Sequence, residues 1–178
     1  ALAAGAPGCG PGLPSAGAWR GGPTSRIRVR AGTAAAKREI AEIMAAMTYD
    51  APMLVFAGDV PNAIATEVEG VAAIVYNARF FNRLTDCNWA APVGILAHEV
   101  GHHVHGDAVF DPADRAANWR RELAADRFAG RAMRRLSVGL DDAISCVVCS
   151  LSPDFEGSDT HPASLLRAEA VEAGWREG

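Results

Sequence analysis

Two four-residue spacings constrain this chain more than any other feature. His98 and His102 stand at i and i+4 within Ala90–His105, and Glu122 and Asp126 stand at i and i+4 within the next helical stretch, Asp114–Leu136. Residues four apart share one helix face. Val93, Leu96, Ala97, Val100 and Val104 mark the buried side of the first stretch, Pro92 sits in its first turn and Gly106 closes it. The two polar pairs therefore project from consecutive helices, and a fold that uses both must set those helices side by side.

The rest of the chain supplies a small sheet and further helices. Alternation of Arg26, Arg28 and Arg30 with Ile27 and Val29 predicts a short strand with one solvated, charged face. Thr33 then caps an amphipathic helix running to about Met47, with Ile40, Ile43, Met44 and Met47 on its core side. Met53–Ala57, closed by Gly58-Asp59, reads as a strand and turn. Ile64–Thr66 and Val71–Tyr76 flank Glu69-Gly70 as the arms of a hairpin, and Ala78–Leu84 reads as a short helix in which Phe80 and Phe81 pack the core. A helix containing the apolar run Ala143–Leu151 follows, then the turn-rich loop Ser152–Thr160. Pro162 opens a last helix that ends near Gly174. Strands followed by packed helices make an α+β domain.

Composition narrows the function classes. The chain has 178 residues, enough for one domain with a sizeable core, and 49% are hydrophobic. Residues 1–24 are dominated by Ala, Gly and Pro without apolar periodicity and read as a flexible tail, so the domain is expected over 25–178. A net charge of −4 argues against an electrostatic nucleic-acid binder. No apolar run approaches the roughly 18 residues of a membrane span. Cys146 and Cys149 form C-x-x-C inside an apolar helical run, without a second pair at metal-ligand spacing. Buried small hydrophobes are the preferred reading. The competing reading is a disulfide involving Cys87, which requires an oxidising compartment. The pairing of Cys9, Cys87, Cys146 and Cys149 stays open from sequence. Ala1–Gly8 fits the remnant of an export signal. A secreted or periplasmic setting in a bacterial source is thus favoured over the cytoplasm, and oligomeric state is not readable.

His98-Glu99-Val100-Gly101-His102 is an H-E-x-x-H sequence on a predicted helix. Both imidazoles can reach one metal ion, and Glu99, one position on, stands where it could take a proton from a water activated by that ion. A catalytic zinc needs a third protein ligand and an open fourth position. Glu122 and Asp126 offer two carboxylates on one face: one can bind the ion while the other fixes the tautomer of a ligand histidine. Taken alone, these two acids would read as a solvated face pairing with Arg120, Arg127 or Arg131. One helix after H-E-x-x-H, the metal-site reading takes precedence.

H-E-x-x-H followed by a helix carrying E-x-x-x-D resembles the pattern of gluzincin metallopeptidases, and the wider match is similar to soluble relatives of the M48 peptidase family. Ile95–His103 is similar to that family's active-site helix, Glu122–Gly130 to its third-ligand helix, and Thr160-His161-Pro162 with Arg167 to its downstream segment. The resemblance covers residues from about 89 to 175, half the chain. It implies a zincin-like α+β fold with a small antiparallel or mixed sheet and a third-ligand helix packed beside the H-E-x-x-H helix. It further implies one Zn²⁺ held by His98, His102 and Glu122, Glu99 as general base and acid, Asp126 behind the ligands, and Arg167 anchoring Asp126 through a bidentate pair. His161 is expected near the metal as an oxyanion stabiliser or as a fourth ligand that plugs the open position, against a structural role at the start of the last helix. His103 and His105 point off the ligand face. In zincin peptidases an edge strand binds the extended substrate by β-addition; Val71–Tyr76 is the candidate strand, with Tyr76 and Asn77 at its exit.

The reading that follows is a zinc-dependent endopeptidase acting on a peptide or protein substrate. Its rivals are a latent zinc-binding regulatory or interaction module of the same fold, and a zinc-dependent hydrolase of non-peptide amides.

Overall fold

A computed structural model describes residues 27–106, 114–150 and 154–178, the side chains of 148 and 149 excepted. The stretch 1–24, Arg26, the Cys9 and Cys149 side chains and the first part of the loop after residue 150 lie outside the described residues. The described chain is mixed α+β: strands β1 (Val29–Ala31), β2 (Leu54–Gly58), β3 (Ala63–Val68) and β4 (Val71–Tyr76), and helices α1 (Ala34–Ala46), α2 (Ala78–Cys87), α3 (Ala91–His105), α4 (Arg115–Arg135), α5 (Leu140–Ser150) and α6 (Ser164–Glu177). None of these helices is long and apolar enough to cross a membrane.

Local chemistry sets most boundaries where the sequence reading put them. The Thr33 hydroxyl accepts from the Ala36 N–H at 3.2 Å and starts α1. Glu69 and Gly70, both at positive φ, form the tight turn between β3 and β4. Pro92 lies in the first turn of α3, and Gly106, left-handed at φ 69°, ends it. The last helix runs further than expected, to Glu177, with Trp175 Nε1 donating to the Val138 carbonyl.

The sheet is mixed, in the order β1-β2-β4-β3. β2 and β4 are parallel, whereas β1 pairs with β2 and β3 pairs with β4 antiparallel. This corrects one expectation. Val71–Tyr76 is an interior strand, paired on both sides, and β3 is the edge. The alternating pattern shows that the hairpin arms pair, but not which of them the earlier strand β2 joins. β4 is the more apolar arm, and its Ala73–Tyr76 half is buried, as an interior position requires.

The core runs from the inner face of the sheet through α3. Ile40, Ile43, Ile74, Leu96, Val100 and Met133 are among its most buried side chains. Phe80 and Phe81 belong to it. α3 is buried along Gly94–Gly101, on more of its surface than its apolar stripe implied, while Val104, assigned to that stripe, is 38% exposed. Close helix approaches are bought by glycine. A Cβ on Gly101 would sit 3.2 Å from Ala125 Cα, on Gly130 2.0 Å from the Val171 carbonyl oxygen, and on Gly174 1.9 Å from the Arg127 carbonyl oxygen.

Candidate metal centre

α3 and α4 lie against one another at Gly101, which brings their polar faces together. His98 Nε2 and His102 Nε2 are 3.0 Å apart. Each lies 3.5 Å from a different oxygen of Glu122. One donor atom from each of these three residues falls within 4.8 Å of the other two, a group that could hold a metal ion. A tetrahedral centre with metal–nitrogen bonds of about 2.05 Å separates its donors by about 3.3 Å, which the three observed distances bracket. Glu122 Oε2 is buried without a formed hydrogen bond, although His98 and His161 Nε2 each lie 3.5 Å from it. The donor set and its geometry fit a divalent ion such as zinc.

The ring orientations follow from what stands behind them. Asp126 Oδ1 accepts from His98 Nδ1 at 2.9 Å, which turns the lone pair of Nε2 towards His102 and Glu122. Arg167 on α6 donates to both oxygens of Asp126 at 2.7 Å, the bidentate pair the sequence suggested. The Gly130–Gly174 approach lets α6 come close enough to α4 for this bond. Glu122 and Asp126 are 8% and 2% exposed, which removes the solvated-face reading. Of the arginines offered as their surface partners, Arg127 pairs instead with Glu177.

Burial and charge push the titrating groups apart. Burial alone would lower the His98 imidazole, but the Asp126 carboxylate overrides it and holds His98 up at about 10. A cation binding at Nε2 must displace that proton. His102 is driven down to about 3 by burial and by the neighbouring His98 charge. Burial would raise Glu122, yet His98, with Nε2 3.5 Å away, keeps it well below the usual carboxylate range. Asp126 is likewise held low: burial is outweighed by the charges of Arg167 and His98. Glu99 goes the other way. Burial pushes it up to about 7, with the His98 charge opposing, Glu122 adding and the Ala65 backbone amide of edge strand β3 lowering it. A carboxyl group of that acidity can take up and release a proton near neutral pH.

His161 is 1% exposed, and its Nε2 lies 3.5 Å from Glu122 Oε2. Burial keeps its imidazole below the ordinary range. His98, Glu99, Glu122, His161 and Arg167 line one pocket, which continues between α3, α4 and α5 past Ile95 and Val147. His103 and His105 point elsewhere: His103 Nε2 meets the Ala73 carbonyl at 3.0 Å and His105 packs edge-on to Phe128.

Tyr76 and Asn77 do not join the site. The Tyr76 side chain is buried with its hydroxyl 3.0 Å from both the backbone N–H and the hydroxyl of Thr33. Asn77 caps α2 by accepting from the Arg79 and Phe80 N–H groups and donates to the Val60 carbonyl. Both fasten the sheet to helices. Sequence reasoning missed Asn62 in the pocket wall and the Thr160 hydroxyl, 2.6 Å from His161 Nδ1. Thr160 adjoins a singled-out histidine and could have been found; Asn62 carried no signal. Cys146 is a free buried thiol raised to about 12 by burial, as the small-hydrophobe reading expected, whereas Cys87 is disulfide-bonded, as the competing reading expected. No family model matches the chain, and neither a curated protein nor a solved structure matches it.

Proposed function

We propose that the chain is a zinc-dependent endopeptidase with a gluzincin-type, zincin-like fold, similar to soluble relatives of the M48 peptidase family. The observation that carries this reading is the convergence of His98, His102 and Glu122, two of which, His98 and Glu122, line the same pocket as Glu99. His98, His102 and Glu122 hold the ion. Zinc, when bound, supplies a Lewis acid that polarises the scissile carbonyl and makes water acidic enough to ionise near pH 7. Glu99 accepts the proton of the attacking water and passes it to the leaving amine. Asp126 keeps the proton of His98 on Nδ1, and Arg167 keeps Asp126 ionised and in place. A peptide substrate, extended, adds to the open side of β3, whose Ala65 amide acts on the Glu99 carboxyl.

An exported setting belongs to the same reading. The disulfide at Cys87 supports it, because such bonds persist in oxidising compartments.

The test is cleavage of a diverse peptide library by zinc-loaded protein beside its Glu99→Gln variant, with bound zinc measured in both. Cleavage by the parent, its loss in the variant and unchanged zinc content are expected. Equal cleavage by both would overturn the role of Glu99. Zinc binding without cleavage by either would favour a zinc-bound regulatory or interaction module.

A further inference from the structure

The metal-site reading leaves His161 with two opposite roles: a ligand needs a bare Nε2, and a donor needs a protonated one. The turn that carries it favours one of them. A hydroxyl has one proton to give and two lone pairs with which to accept. Ser158 Oγ accepts the backbone N–H of His161 at 3.1 Å and that of Thr160 at 3.3 Å. Both of its lone pairs are then used, so its contact with Thr160 Oγ1 at 3.0 Å runs from Ser158 to Thr160. The Thr160 hydroxyl, having accepted one bond, still has its own proton to give and a second lone pair. Its neighbour at 2.6 Å is His161 Nδ1. A neutral imidazole accepting at Nδ1 carries its proton on Nε2, and Nε2 is the atom that lies 3.5 Å from Glu122 Oε2.

We propose that Thr160 is a positioning residue: through the relay Ser158–Thr160–His161 it fixes His161 as a hydrogen-bond donor facing the metal centre, so that His161 neither ligates the ion nor plugs the site. The turn is held to the helix that carries Glu122. Trp119 Nε1 donates to the Ser158 carbonyl at 2.8 Å and Asn118 Nδ2 to the Asp159 carbonyl at 3.4 Å, both from α4. The Ser158 N–H closes the turn on the His161 carbonyl at 2.8 Å. The relay and the carboxylate it faces therefore share one support. A donor aimed in this way can steady the free oxygen of Glu122 or a developing negative charge on a substrate.

The proposal rests on the metal-site reading for its setting, but its test does not need activity. The full chain, labelled with ¹⁵N in histidine, is observed by long-range proton–nitrogen correlation, with His161→Gln assigning the signal. Expected is a His161 ring protonated at Nε2 and bare at Nδ1. Thr160→Val shifts the population towards the other tautomer, and Thr160→Ser, which keeps the hydroxyl, restores it. A parent ring protonated at Nδ1 overturns the proposal, as does a Thr160→Val spectrum identical to the parent's. Should Thr160→Val fail to fold, the parent spectrum still decides. Added Zn²⁺ should shift His98 and His102 and leave the Nε2 proton of His161 in place; its loss would make His161 a ligand and overturn the proposal. If zinc shifts no histidine, the metal reading fails, while the zinc-free tautomer still judges the relay.

Discussion

The α3–α4 seam and the α4–α6 crossing meet at Asp126 but are built differently. Across the seam, Gly101 faces the Ala125 Cα and the Phe128 side chain, where an added Cβ would be tight at 3.2 Å, and two imidazoles face a carboxylate. Across the crossing, Gly130 and Gly174 bring backbone against backbone, and one guanidinium grips one carboxylate. The seam holds the three residues that could hold a metal ion. The crossing leaves nothing over, and its role is to keep His98 oriented from behind.

Breaking the charge pair at the crossing should have the largest effect. Asp126→Ala leaves Arg167 buried without its partner and His98 without an acceptor, at a cost of about 3–5 kcal/mol. Denaturant unfolding in a chelating buffer would measure it, and a cost below about 1 kcal/mol would show that water reaches the guanidinium.

The two sets of glycines sharpen the contrast. Gly174→Ala drives a methyl into the Arg127 carbonyl and should cost about 3 kcal/mol, because backbone must move. At Gly101 the added methyl is only tight, and the better helix propensity of Ala, about 1 kcal/mol, offsets much of the crowding. Thermal unfolding of the two variants should therefore differ clearly. Equal losses would mean that the seam is as rigid as the crossing.

Acid gives the smallest and most graded test. Asp126 is held below the usual carboxylate range by Arg167 and His98 against the opposing effect of burial. Its stabilising contribution is therefore complete above the unfolded pKa of about 3.9 and is lost as pH falls through its lower folded value. The stability gap between the parent and Asp126→Asn should narrow as pH falls below about 4. A gap that stays constant to pH 2 would assign the loss in the variant to packing.

Legibility from sequence followed the range of the interaction. Thr33, Pro92, Gly106 and the Glu69-Gly70 turn act within a few residues, and each stands where the pattern put it. The four-residue spacings on α3 and α4 fixed which side chains share a face, and the close approach of the two helices at Gly101 then brings those faces together. The order of strands was not readable, because alternation specifies a strand's two faces but not its neighbours. For that reason Tyr76 and Asn77 were assigned to a substrate edge and are instead fasteners between sheet and helix. The influence of the Ala65 amide on Glu99 links residues 34 positions apart, and no local pattern encodes it. The hydroxyl relay was present in the letters Ser158, Thr160 and His161, but its direction required distances.

The two glycines at the crossing also act as an alignment key. Sliding α6 by one turn along α4 would move Arg167 by about 5.4 Å, out of its bond with Asp126 and, in one direction, onto Glu122 instead. In the observed setting each glycine sits where the opposing chain passes closest, and any other residue brought to that point would carry a Cβ into a carbonyl oxygen. Neighbouring settings of the two helices are thus closed by sterics before electrostatics is consulted. An assembling chain that has packed α6 correctly has, by the same act, aimed its guanidinium.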